Sequence, residues 1–156
     1  CPAVTYRGER IVPEVKSNAL LLNYLAQRRA SENGAHEALF VDRHDTIPEG
    51  SRSNFFAVAG RRLITPASGV LAGVTRKYIL EVAEAAGLVP EFRNPSLREI
   101  LSDSFDELFI SSTSMGAMPL ASLDGHRFPE SFPVTAMLHA GVREREAAYI
   151  AGKAAR

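Results

Sequence analysis

Hydrophobic positions along this chain fall into short runs, punctuated by glycine, proline and small polar residues. Ala3 to Arg7 (Ala-Val-Thr-Tyr-Arg) has strand composition, and Pro13 separates it from the region around Lys16. Ala19, Leu22, Ala26 and Ala30 recur at helical spacing, widened by Leu21 and Leu25, so the pattern predicts a helix capped by Ser17 and stopped at Gly34. Glu37 to Asp42 is an apolar run suited to a covered strand, turned back at Asp45 and Thr46. Two strands around Gly60 make a hairpin, with small polar residues from Glu49 to Asn54 leading into it. Ile79, Val82, Ala83 and Ala86 share one face of a second helix, with Thr75 as its N-cap and Gly87 at its end. Ser96 and Glu99 have capping-box spacing. Asp106 to Ile110 reads as a strand, Pro119 to Leu123 as another closed by Asp124-Gly125, and Val134 to about Ile150 as a final helix with a charged outer face.

Composition narrows the class. With 156 residues, 46% hydrophobic and a mean hydropathy of −0.06, the chain can bury one ordinary core. Eighteen basic and eighteen acidic residues cancel, and no basic block exceeds Arg28-Arg29 or Arg61-Arg62, so neither nucleic acid nor an anionic membrane is expected as a partner. There is no long apolar span and no signal-peptide layout, and the single cysteine cannot form an internal disulfide. A reducing, cytoplasmic setting is the expectation. Cys1 at the first position admits two readings, an N-terminal nucleophile or a trimmed terminus, and no Gly-rich oxyanion turn nearby supports the first.

Three stretches carry candidate chemistry. Lys16 stands between an extended run and an apolar helix; facing inward it would be desolvated, leaving a free amine able to form a Schiff base with an aldehyde. The alternative is a surface lysine at a turn. Gly73 beside the start of the second helix permits close approach to unpaired N–H groups and the positive end of the helix dipole, which suits a phosphate, or it is an ordinary turn. Ser111-Ser112-Thr113-Ser114 sets four hydroxyls in a row at a strand end, either a plain loop or a second cradle of donors for an anion.

The order of these features is more specific than any one of them. Lysine after a strand, Glu-Gly-Ser-x-x-Asn-Phe (49–55), Leu-x-Gly-Val-Thr-Arg (71–76) opening a helix, and Ser-Ser-Thr (111–113) followed by Met-Pro and Asp-Gly together resemble the fold-type IV pyridoxal-phosphate enzymes. That group holds branched-chain and D-amino-acid aminotransferases, (R)-selective amine transaminases and aminodeoxychorismate lyases, and the resemblance runs from about Ala3 to Gly141. It implies an α/β fold of α+β character, a mixed β-sheet forming a partial barrel with flanking helices, as in the C-terminal domain of a D-amino-acid aminotransferase. It implies pyridoxal 5′-phosphate as cofactor, held by Lys16, which also moves the substrate's proton. Glu49 matches the carboxylate facing the pyridine nitrogen, Leu71 the residue packed on the ring, Val74 and Thr75 the phosphate site at a helix start, and Thr113 a second phosphate donor with Ser112 and Ser114 beside it. Ser51 and Asn54 are expected to support Glu49.

The resemblance also implies what accompanies the chain. Members carry an N-terminal domain that closes the site and supplies a phosphate-binding arginine; the present chain begins at the domain junction, so 1–156 is expected to be the cofactor-binding C-terminal domain, with a separate N-terminal fragment as one form of the missing half. A homodimer is the family's usual assembly, and the helix after Lys16 and the last helix could each serve core or dimer contact. Met115-Gly116-Ala117-Met118-Pro119 departs from the glutamate that many branched-chain and D-amino-acid enzymes carry there, and with residues 69–77 is closer to the (R)-selective amine transaminases. The expected substrates are a small-molecule amine or amino-acid donor and a keto acid acceptor; an aminodeoxychorismate lyase and an inactive cofactor-domain fragment are the alternatives.

Overall fold

The computed structural model describes residues 1–154, arranged in four layers. A four-stranded mixed sheet has the order β2 (Glu37–Val41), β1 (Pro2–Arg7), β8 (Ser122–Leu123), β9 (His126–Arg127). A five-stranded mixed sheet has the order β5 (Val89–Phe92), β4 (Arg62–Thr65), β3 (Asn54–Ala59), β6 (Glu107–Ser112), β7 (Gly116–Pro119). The sheets face one another, α1 (Leu21–Glu32) covers the outer face of the first, and α2 (Val74–Ala85) and α4 (Pro133–Ala154) cover the outer face of the second. A one-turn helix, α3 (Leu97–Ile100), precedes β6.

The period-two geometry of a strand explains why the five-stranded sheet carries apolar residues continuously. On β3, Phe55 and Ala57 point into the core between the sheets with Leu39, Val41, Ile64 and Leu123, whereas Phe56 and Val58 point to the helices with Ile79, Ala83, Leu138 and Val142. β6 alternates likewise, Leu108 and Ile110 one way and Phe109 the other. Phe56 and Phe109 stack face to face with centroids 4.7 Å apart, both fully buried. The sheets are also stitched at one corner, where Phe40 N donates to Glu49 O at 2.9 Å and Ser51 N to Ala38 O at 2.8 Å, next to a bridge between Leu39 and Gly50. The partial barrel expected from the resemblance is therefore two mixed sheets joined along this corner, and it does not close.

Several of the expected local features are present. The hairpin turns at Gly60 with φ of 57°, Ser96 Oγ accepts the Glu99 N–H at 3.1 Å, and Asp124-Gly125 turns between β8 and β9. Others need correction. The α1 helix starts at Leu21 with Leu20 as N-cap and no side-chain cap; Ser17 Oγ instead accepts the Ala19 N–H at 3.4 Å, one turn too early. Its buried residues are Ala26 and Ala30, while Leu21, Tyr24 and Leu25 are exposed on the opposite face, so the wide apolar stripe is not all core of this chain. The α2 helix is capped by Gly73, and Thr75 lies inside its first turn. The strand expected over Pro119 to Leu123 is the end of β7 and the whole of β8, in different sheets, because Leu120 N pairs back to Leu108 while Ala121 N turns to Cys1 O. β5 is an addition to the expected strands: four residues containing Pro90 on a sheet edge give little periodic signal.

Candidate active site

Asn54, at the start of β3, stands opposite Ser111, near the end of β6. That register sets the Ser112 to Ser114 hydroxyls beside the residues leading into β3. Asn54 then reaches sideways: its Nδ2 donates to Leu71 O at 2.7 Å, and its Oδ1 lies against the Cα of Gly73, where any Cβ would overlap it. The loop entering α2 is thereby drawn against the same end of the five-stranded sheet.

Glu49 closes the arrangement. Its carboxylate is buried, with 5% of the residue exposed, and each oxygen has a donor: Leu71 N–H lies 3.0 Å from Oε2 and Arg10 Nε 2.6 Å from Oε1. The Leu71 peptide is thus gripped on both sides, its N–H by Glu49 and its carbonyl by Asn54. Burial raises the Glu49 pKa above the ordinary glutamate value; the Leu71 N–H and the Arg10 guanidinium oppose the rise, and the nearby Glu14 charge adds to it.

Beneath Glu49 lies a second carboxylate, one that the sequence pattern does not mark as a site residue. Glu37, at the head of β2, is fully buried; its Oε1 accepts the Ser51 hydroxyl at 2.5 Å and the Ala38 N–H at 3.0 Å, and its Oε2 the Ser53 hydroxyl at 2.9 Å. The signal for it is a lone charged residue heading an otherwise apolar run. Arg10 has no such signal, because it lies in an irregular segment whose composition gives no cue.

Most of the expected site residues lie together. Glu49, Leu71, Val74 and Thr75 gather at one end of the five-stranded sheet, and the β3–β6 register brings Ser112, Thr113 and Ser114 to the same end. Thr75 is buried, Leu71 and Ser112 half-buried, and Val74, Thr113 and Ser114 exposed. Of the two readings of Lys16, the structure has the surface lysine: it is exposed, as are Val15 and Ser17 on either side, and it has no hydrogen-bond or ion-pair partner among the described residues. The reason is its setting. Residues 8–20 form neither strand nor helix, and this strap is tied down by Arg10, which pairs with Glu49 and also donates to Pro13 O. Glu14, two residues before Lys16, lies near enough for its charge to act on Glu49, so the strap crosses the Glu49 side of the molecule.

Glu49 also borders a cavity of about 370 Å³ lined by Arg10, Phe40, Arg43, His44 and Asn94 among others. Neither Lys16 nor the residues of the α2 start and the hydroxyl turn line it. No group of metal-ligating side chains occurs among the described residues, and no described helix is long and apolar enough to cross a membrane.

The donor set fits a ring carrying an aldehyde, an aromatic nitrogen and a phosphate. No side chain caps α2, so the first-turn N–H groups are free to take an anion. The Ser111 hydroxyl at the adjoining strand end is buried with no hydrogen-bond partner among the described residues. A buried carboxylate stands across from a strap that carries an exposed primary amine.

Two facing mixed sheets with helices on their outer faces are an architecture shared with solved fold-type IV enzymes. The structure of the fold IV-transaminase CpuTA1 from Curtobacterium pusillum superposes with a TM-score of 0.85 at 28% identity, over 95% of this chain and 53% of that one. The branched-chain amino acid aminotransferase of Thermobaculum terrenum, in its PLP form, superposes with a TM-score of 0.83 at 32% identity, over 92% of this chain and 50% of that one. In sequence, the D-alanine aminotransferase of Listeria monocytogenes is 35% identical over 133 residues, which cover 81% of this chain. Residues 2–123 match the family model for amino-transferase class IV, and the chain belongs to that family. It spans 44% of the length of the Listeria relative.

Proposed function

We propose that this chain is the cofactor-carrying domain of a pyridoxal-phosphate-dependent transaminase that moves an amino group from a D-amino acid or an (R)-amine to a 2-keto acid. The observation that carries the reading is the convergence at one sheet end of a buried carboxylate, an uncapped helix start and a run of hydroxyls. When bound, the cofactor supplies an electron sink that makes the proton on the substrate's amine-bearing carbon acidic. The protein's own residues do the rest. Glu49, held by Leu71 N–H, would supply the carboxylate that favours a protonated ring nitrogen. The N–H groups of Val74 and Thr75, with Ser112, Thr113 and Ser114, would receive the phosphate, and Leu71 would pack on the ring. Lys16 is the amine that holds the cofactor and moves the proton; exposed here, it needs a covering surface to exclude water, and the second half of a full-length member would supply that surface. A homodimer of cytoplasmic chains, each completed by such an N-terminal half, is the assembly this reading implies.

D-alanine aminotransferase relatives support the D-amino-acid donor, and the absence of a glutamate from residues 115–119 supports the (R)-amine. The test is to incubate the protein with pyridoxal phosphate, reduce with borohydride, digest and map the label, then assay D-alanine and (R)-amine donors with 2-keto acids in the protein joined to its N-terminal half. Label on Lys16 and transfer to the keto acid are expected. Label on another lysine, or pyruvate released from aminodeoxychorismate without an acceptor, overturns the assignment.

A further inference from the structure

The buried carboxylate with no part in the chemistry above is Glu37. Burying a carboxylate is costly unless its oxygens are hydrogen-bonded, and a strand position with no accessible surface gives it no water. Here the donors are two hydroxyls and a peptide N–H, and the nearest cation, the half-exposed Arg52, is 3.8 Å away at its Nε. Such a group is a poor device for stability alone, since an apolar side chain would fill β2 at less cost. What it holds is informative.

Ser51 and Ser53 belong to the tight turn between Glu49 and Asn54, in which Gly50 N donates to Ser53 O at 2.8 Å. Gly50 packs directly on Glu37: a Cβ there would stand 3.1 Å from its Cδ and overlap Ser53 Oγ. Gln27 Oε1 of α1 lies 2.9 Å from Ser51 Oγ, whose single proton goes to Glu37, and Asn23 Nδ2 donates to Ser51 O at 2.5 Å, bracing the turn from the helix side. The ends of this turn are the two residues that build the site, Glu49 with its carboxylate on Leu71 N–H and Asn54 with its amide on Leu71 O, and they are bridged to each other. One buried carboxylate therefore fixes both arms at once.

We propose that Glu37 is a positioning residue that clamps the Gly50–Ser53 turn and thereby aligns the Glu49 carboxylate and the α2 entrance as a unit toward the cofactor. The inference rests on the reading that Glu49 faces the ring nitrogen, and it adds a residue that the family resemblance does not assign.

The test measures pyridoxal-phosphate dissociation constants by fluorescence for the wild type, Glu37→Ala, Glu37→Gln, Ser53→Ala, Glu49→Gln and the Glu37→Ala/Glu49→Gln pair, with folding checked by circular dichroism. Alongside it, the Glu49 carboxyl is titrated by carbon NMR in cofactor-free protein. Expected are a weakening on the order of tenfold in Glu37→Ala, a smaller loss in Glu37→Gln and Ser53→Ala, a double variant weaker by less than the product of the single effects, and a moved Glu49 titration midpoint. A folded Glu37→Ala with unchanged affinity, or fully multiplicative effects, overturns the proposal. If the wild type binds no pyridoxal phosphate, the functional reading fails, and the NMR titration still decides: an unmoved Glu49 midpoint removes the positioning role. Should Glu37→Ala not fold, Ser53→Ala carries both measurements.

Discussion

Arg10 and Glu49, thirty-nine residues apart, form a buried ion pair, with Nε 2.6 Å from Oε1. The pair is the fastening of the strap: the guanidinium also takes the Pro13 carbonyl, so one side chain joins the segment carrying Lys16 to the carboxylate beneath it. Removing one partner of a buried pair leaves the other uncompensated. Arg10→Met is therefore expected to destabilise the protein by about 3 kcal/mol and to raise the protease sensitivity of residues 8–20, read by urea unfolding and limited proteolysis. A strap that stays resistant in the variant would show that other contacts hold it.

The raised pKa of Glu49 has a definite sign in stability. Between the ordinary glutamate value of 4.5 and the higher folded value, the folded state binds more protons than the unfolded state, so stability falls as pH rises through that window. Asp42, lowered by hydrogen bonds from Thr46 and His44 that outweigh its burial, and Glu99, lowered chiefly by hydrogen bonds from Arg93, have the opposite slope, lost on acidification. The difference between wild type and Glu49→Gln isolates Glu49. Urea midpoints from pH 4 to 7 are expected to show the wild type losing stability relative to the variant as pH rises, and parallel curves would contradict the burial argument.

Lys16→Ala separates chemistry from folding. The side chain is exposed and unpaired among the described residues, so the substitution should change stability by no more than about 0.5 kcal/mol. It should abolish borohydride-trapped cofactor entirely. Residual label at full stoichiometry would reassign the amine.

Gly73→Ala tests the seam between Asn54 and α2. The backbone at Gly73 is ordinary, with φ of −67°, so nothing in the local conformation forbids alanine. The added Cβ would instead collide with Asn54 Oδ1, and moving that amide breaks its bond to Leu71 O. A loss of about 1–2 kcal/mol is expected from one buried hydrogen bond, with weaker pyridoxal-phosphate binding, measured by thermal unfolding and fluorescence titration.

Glu107 caps α4 from outside the helix. Its carboxylate accepts Val134 N–H and Thr135 N–H at 2.8 Å each and the Thr135 hydroxyl at 2.7 Å, the two Thr135 bonds buried and the Val134 bond partly so. Glu107→Ala should cost about 1–3 kcal/mol and lower the hydrogen-exchange protection of the first turn of α4, with little change at Glu49.

Legibility in the sequence tracks the range of the interactions. Elements whose signal is local are legible: the Ser96–Glu99 box, the Gly60 hairpin and the α2 face of Ile79 and Ala83 are all encoded within a few residues. The convergence of Glu49, Leu71 and the hydroxyl turn is legible only because their order resembles a family. Helix starts slip because Ser17 and Thr75 are good capping residues that the chain uses otherwise, one in a turn and one as a buried wall of the helix. The exposure of Lys16 is left open by the sequence, which admits an inward amine and a surface lysine alike, since whether a side chain is covered depends on what packs over it. Glu37 is hidden for the converse reason: its three donors lie on residues 38, 51 and 53, and only folding unites them.

β1 lies between β2 and β8, and its parallel partner on one side begins at Ser122. Cys1 O accepts from Ala121, Ala3 O from Asp124, and the Thr5 hydroxyl reaches Asp124. Synthesis must therefore run roughly 115 residues past β1, from Arg7 to Ser122, before that strand can find its second neighbour. Until then the β1–β2 pair is an unfinished edge, open to strands of other molecules, and chaperone capture during translation should be strongest in that interval.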